Sequence, residues 1–200
     1  MTNYQYIHDL FKGILASSQA IEGRFVIGYR YGLQEINYDQ LGQVVDAFDA
    51  SKKYPLVVMA PPHSTVDFGG HNAGWETYRI IMFFLKKSFN NSDNTVQQIH
   101  SLTGTSQHRV YQDWHDMKRC CVNFVQALLS VQAGMRPAPF NYPTQQHALC
   151  IPVSNIGADR AAGVRYDFDF RLFLGCEIED YAEYPTTLEL ELDGHPQHSL

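Results

Sequence analysis

Apolar positions along the chain follow two periods, and they divide it into helices and strands. Ile7, Leu10, Phe11, Ile14 and Leu15 recur at three- and four-residue steps and predict a helix over 3–18 with one apolar face. Gly23 breaks that pattern. Residues 24–31 (Arg-Phe-Val-Ile-Gly-Tyr-Arg-Tyr) are β-branched and aromatic, which predicts a strand. Over 32–53 the signal is mixed: Leu41, Val44, Val45 and Phe48 suit either a short helix or an irregular excursion. Residues 54–60 form a short apolar run closed by Pro61-Pro62, as expected of a buried strand stopped by residues with no backbone donor. The polar, glycine-rich stretch 61–73 then predicts a loop, and 75–85, dense in Tyr78, Ile80, Ile81, Met82, Phe83 and Phe84, predicts a long strand.

Beyond that strand, 86–107 contains Asn90-Asn91-Ser92-Asp93-Asn94 and Thr103-Gly104-Thr105-Ser106, and reads as an exposed connection. A long helix is predicted over 108–131, where Val110, Trp114, Met117, Cys121, Phe124, Leu128 and Val131 form one stripe and Gly134 stands ready to end it. Prolines 137, 139 and 143 mark a turn, and 147–153 reads as a strand with Pro152 near its end. After a turn over 157–163, Val164, Tyr166, Phe168, Phe170, Leu172 and Leu174 alternate with Arg165, Asp167, Asp169 and Arg171. That period of two predicts a strand with one core face and one wet, charged face, whose charges suit pairing with a neighbouring strand. Alternation returns at Leu188, Leu190 and Leu192, consistent with an edge strand or with an arm reaching another subunit.

Strands grouped on either side of one long helix, without repeated strand–helix alternation, predict an α+β domain. The expected architecture is a small antiparallel or mixed sheet backed by the two main helices, 3–18 and 108–131. One domain is expected over 1–182, with an exposed insertion at about 86–107 and a C-terminal arm or tail over 183–200. Length and composition agree, since 200 residues that are 44% hydrophobic and 13% aromatic can bury a core. A net charge of −6 gives no basic footprint for phosphates, so sequence-specific nucleic-acid binding is not expected. The longest apolar run, 80–85, is far short of the roughly 18 residues of a membrane-spanning helix, and no secretory signal pattern opens the chain. A protein made in a cytoplasm is expected, with reduced thiols, because Cys120, Cys121, Cys150 and Cys176 show neither disulfide-framework nor zinc-knuckle spacing.

Chemical candidates are few. His63, Asp67 and His71 share the glycine-rich loop, and a small metal-dependent enzyme built on 61–73 is one alternative, although their spacing matches no zinc or HExxH pattern. His108, Asp113, His115 and Asp116 fall near the start of the long helix, where acidic groups favour the positive end of the helix dipole. Cys121 lies on the apolar stripe and Cys120 about 100° round the helix from it, which favours core packing over a nucleophile. Ser64 and Ser154 lack a GxSxG setting, and neither GxxxxGK[ST] nor GxGxxG occurs. The sequence therefore declares no enzyme and calls for no cofactor.

Several segments together resemble the tail-terminator and tail-completion (neck) proteins of long-tailed bacteriophages and prophages, particularly those of Bacteroidetes. They are the opening helix with Ile7, Leu10, Phe11 and Ile14, the Tyr54-Pro55-Leu56-Val57-Val58 run, the strand 75–85 and the helix 108–131. The run Asp159-Arg160-Ala161-Ala162-Gly163-Val164, leading into Tyr166-Asp167-Phe168-Asp169-Phe170, completes them. The resemblance implies an α+β subunit that assembles as a ring, commonly a hexamer, at the head-proximal end of the tail tube. Such a ring stops tail growth and joins the tail to the head connector, so its partners would be other copies of itself, the tube protein and the neck proteins. It would reside in the virion after assembly in the bacterial cytoplasm. A neck or head-completion protein of the same module is the near alternative. A closed ring needs two different complementary patches per subunit. Arg165, Asp167, Asp169 and Arg171 on the charged strand face, Asn90, Asn91 and Asp93 in the long connection, and Leu188, Leu190 and Leu192 in the arm are the candidate interface residues.

Overall fold

The computed structural model describes residues 2–28, 38–47, 54–67, 74–88, 104–142 and 148–173. Helix α1 (Asn3–Ala16) starts where the Thr2 hydroxyl accepts from the Gln5 amide, and it buries Ile7, Phe11 and Leu15. A left-handed Gly23 (φ +74°) turns the chain into β1 (Phe25–Ile27), shorter than the predicted 24–31 strand: Arg24 and Gly28 fall outside it, and 29–31 lie outside the described residues. The ambiguous 32–53 stretch contains a helix, α2 (Tyr38–Asp46), which buries Leu41 and Val45; Phe48 lies outside the described residues.

Strand β2 (Leu56–Met59) is buried throughout and runs parallel to β1. The chain then departs from expectation, because 61–73 is not simply a loop. Residues His63–Asp67 form β3, antiparallel to β4 (Trp75–Lys86), with His63 opposite Arg79 and Asp67 opposite Trp75. Its residues carry little apolar signal because, among the described residues, β3 has a sheet neighbour only on its β4 side, and His63 and Thr65 are exposed.

The long helix α3 (Gly104–Gly134) begins four residues before its predicted start and buries Val110, Met117, Cys121, Phe124 and Leu128 as the stripe requires. Two strands follow it, β5 (Phe140–Asn141) and β6 (Leu149–Ile156), and then β7 (Ala161–Phe173). Pro152 lies inside β6 rather than at its end. It is tolerated because, among the described residues, β6 pairs only with β7, so no ladder on the other edge needs its missing donor. Gly163, predicted to belong to the turn, lies within β7.

All of β4 pairs with β7, from Trp75 opposite Phe173 to Lys86 opposite Ala162. The seven-stranded sheet runs β1-β2-β4-β7-β5, with β3 beside β4 and β6 beside β7, and it is mixed because only β1–β2 is parallel. The fold is α+β, as expected. Helices α1 and α3 cover one face, formed by the even-numbered residues of β4 and β7. Phe11 is central there: its ring meets Phe124 edge-on at 5.2 Å and Phe170 at 5.3 Å. Helix α2 covers part of the opposite face, packing Leu41 and Val45 with Leu56, Val58, Phe83, Leu85, Val153 and Ile156.

Buried polar groups tie these layers together. Glu76, on the helix-covered face, accepts from Asn3 of α1 at 2.9 Å and from the Tyr78 hydroxyl at 2.5 Å. Burial and this hydrogen bond push the Tyr78 phenol above its ordinary range. Asp113 does not cap α3, contrary to the dipole expectation, for it sits well inside the helix and is buried. It accepts from the Ser88 hydroxyl at 2.6 Å, and Lys86 bridges it (3.2 Å) and Asp116 (2.9 Å). Lys86 and Ser88 therefore belong to the packed body, and the exposed connection does not start at residue 86; residues 89–103 lie outside the described chain.

Two predictions follow from this packing. A Cβ on Gly163 would lie 1.8 Å from the Phe84 carbonyl oxygen, which is backbone and has no rotamer by which to yield. Gly163→Ala should cost about 3 kcal/mol or more in urea unfolding, because β4 and β7 must separate to admit one methyl group. The second concerns acid. The Lys86 hydrogen bond holds the Asp116 carboxyl below its ordinary value. Its contribution is thus complete above the unfolded aspartate value, about pH 4, and is lost as the pH falls through the lowered one. In Lys86→Met, unfolding free energy should fall less steeply below about pH 4 than in the native chain.

Candidate functional site

On the sheet face away from α1 and α3, α2 covers one half, and odd-numbered residues of β4 and β7 line the other. Strand pleating alone places Arg165, Asp167, Asp169 and Arg171 together there. The face is not uniformly wet. Asp167 is only 2% exposed, while Asp169 remains substantially exposed.

Two guanidinium groups stand against the buried Asp167. Arg165 grips it in a fork, Nε to Oδ1 at 2.7 Å and one terminal nitrogen to Oδ2 at 2.5 Å. Arg79 of β4 approaches the same Oδ2 at 3.8 Å and reaches Asp169, its register partner, at 3.1 Å. The expected pairing with a neighbouring strand's charges is therefore present, and it comes from Arg79, which sequence reading passed over. The signal was there, since Arg79 is the only charged residue between Tyr78 and Leu85. Its meaning depended on a register linking residues 90 positions apart.

Apolar side chains flank this charged row. On β6, Leu149 (50% exposed) stands opposite Asp167, and Ile151 (39% exposed) stands opposite Arg165. At the far end, Phe173 (44% exposed) meets Trp75 with ring centres 5.3 Å apart. A desolvated ion pair bordered by exposed aliphatic and aromatic groups is the composition of a protein-binding patch: apolar groups for area, fixed charges for register. Further exposed apolar groups are Tyr111 and Val122 on α3 and Met135 just beyond its end.

The remaining sequence candidates are placed as follows. Asn90, Asn91, Asp93, Leu188, Leu190, Leu192 and His71 lie outside the described residues. His63 and Asp67 belong to one extended strand rather than a loop, and a rise of about 3.3 Å per residue sets their backbones about 13 Å apart. That spacing is too wide for both to ligate one ion. Among the described residues, no group of three or more His, Cys, Asp or Glu side chains is arranged to hold a metal, and no helix is long and apolar enough to cross a membrane. No protein-family model matches the chain, and no curated protein matches it.

The two carboxylates should respond differently to loss of a partner. Arg165→Ala leaves the buried Asp167 with only the more distant Arg79 and should cost about 3 kcal/mol in urea unfolding. The Arg79–Asp169 pair is exposed, and a double-mutant cycle across it should give a coupling of no more than about 1 kcal/mol. Equal values would show that Asp167 is not held by Arg165 in the way described.

Proposed function

We propose that this protein is a virion structural subunit, a tail terminator of a long-tailed bacteriophage. Copies close into a ring at the head-proximal end of the tail tube, stop its growth and present a surface to the head connector. The subunit acts by assembly and not by catalysis, with no cofactor. Its partners are further copies of itself, the tube protein and the neck proteins, and its place is the virion after assembly in the bacterial cytoplasm.

The observation that supports this reading is the contrast between the two sheet faces among the described residues. One face is filled by two helices, whereas the other exposes Leu149, Ile151 and Phe173 around an ion pair. Heterologous closure requires a second, different patch on the same subunit, and the exposed α3 residues Tyr111 and Val122 supply a candidate. The sequence resemblance adds the ring and its location. A neck or head-completion protein of the same module would use the same two surfaces with a different partner.

Light scattering after size exclusion, with negative-stain images at several concentrations, tests the proposal. A closed ring of about six subunits is expected. Ile151→Glu should reduce it to monomers while changing unfolding free energy by no more than about 0.5 kcal/mol, since the residue is a surface one. A chain that stays monomeric at high concentration and binds neither tube nor connector protein would end this reading.

A further inference from the structure

Between α3 and the edge strand β6 lies a pair of thiols that the assembly reading does not use. Cys121 points from the buried stripe of α3 into the core at 2% exposure, whereas Cys150 is half-buried on β6, opposite Tyr166. Both are free, Cys150 packs against the core layer that contains Cys121, and each thiol shifts the titration of the other. Tyr166 is itself hydrogen-bonded to the Tyr142 hydroxyl at 2.5 Å, so four polar groups fall in an otherwise apolar layer.

We propose that Cys121 and Cys150 form an oxidisable dithiol that reacts with a small soluble disulfide of the glutathione class and closes into a cystine joining α3 to β6. The two cysteines differ in the way such a reaction needs. Cys150 is reachable from solvent at the sheet edge, and Cys121 is not, so the order of events is fixed. The Cys150 thiolate attacks one sulfur of oxidised glutathione; a sulfur–sulfur bond forms to Cys150 and one glutathione thiolate leaves. Cys121, in the core layer against which Cys150 packs, gives up its proton and attacks the Cys150 sulfur, and the second glutathione departs as a thiol. The two cysteines lose two electrons and two protons, and one glutathione disulfide becomes two glutathione thiols.

The electrostatics run in the same direction. The Cys121 hydrogen bond and the Lys118 charge bring Cys150 down to about 7 against the opposing effect of burial, while Cys121 itself is pushed up by the same bond and by burial. Cys120 differs: burial and the Asp116 carboxylate raise its thiol. Its side chain also leaves α3 about 100° away from that of Cys121.

The test is incubation of the full-length folded protein with oxidised glutathione, followed by non-reducing peptide mass mapping. The native chain should lose two hydrogens, with Cys150 linked to the peptide that carries Cys120 and Cys121. That link should persist in Cys120→Ser. In Cys121→Ala it should be replaced by a stable glutathione adduct on Cys150, with circular dichroism confirming that each variant is folded. A lasting glutathione adduct on Cys150 in the native chain would overturn the proposal, as would a link from Cys150 to Cys120 or Cys176. So would thiols that remain unmodified.

Discussion

The antiparallel ladder between β4 and β7 is the constraint on which everything else in this molecule rests. It pairs two strands far apart in sequence over the whole length of β4, and every other strand except β1 attaches directly to one of the two. The close approach of Gly163 to the Phe84 carbonyl leaves one register available, because a slip by a single residue would bring a side chain into space that holds only backbone. Once that register is set, the even-numbered side chains face α1 and α3 and the odd-numbered ones face away. The hydrophobic layer and the exposed patch are thus two consequences of one pairing.

The division of labour between the faces has a physical basis. The helix-covered face is filled with large aromatic and aliphatic groups and needs no further partner. Among the described residues, α2 covers the opposite face around Phe83 and Leu85. Past that point apolar β4 residues give way to Thr77 and Arg79, and β7 answers with charge. Asp167 would be costly to bury alone, but Arg165 and Arg79 compensate it, so this carboxylate is held out of water by charges of its own chain. Preorganisation of this kind lowers the ordering cost of association, which is why a ring subunit would gain from holding its charges fixed.

Much of this was legible in the sequence, and what was not has identifiable causes. The α3 stripe and the β7 alternation could be read directly because each has one wet and one dry side and keeps its period over many residues. Strand β3 was missed because, with no second sheet neighbour among the described residues, its His63 and Thr65 stay exposed and its composition resembles that of a turn. Asp113 looked like a helix-dipole residue, since its true partners, Lys86 and Ser88, stand across the long connection. The burial of Asp167 was equally hidden: period two marks Arg165, Asp167, Asp169 and Arg171 as one face, but only the β4 register brings Arg79 onto that face. In each case the missing information was tertiary and not local.

The claim that carries most weight is that the half-exposed sheet face is where one copy meets another. Hydroxyl-radical footprinting of the assembled particle against a dissociated variant reads side-chain exposure directly. The account predicts that Leu149, Ile151 and Phe173 lose most of their reactivity on assembly, whereas Tyr4 of α1, equally exposed in the subunit, keeps its own. Particles in which Leu149 and Ile151 remain as reactive as in the free subunit would contradict it.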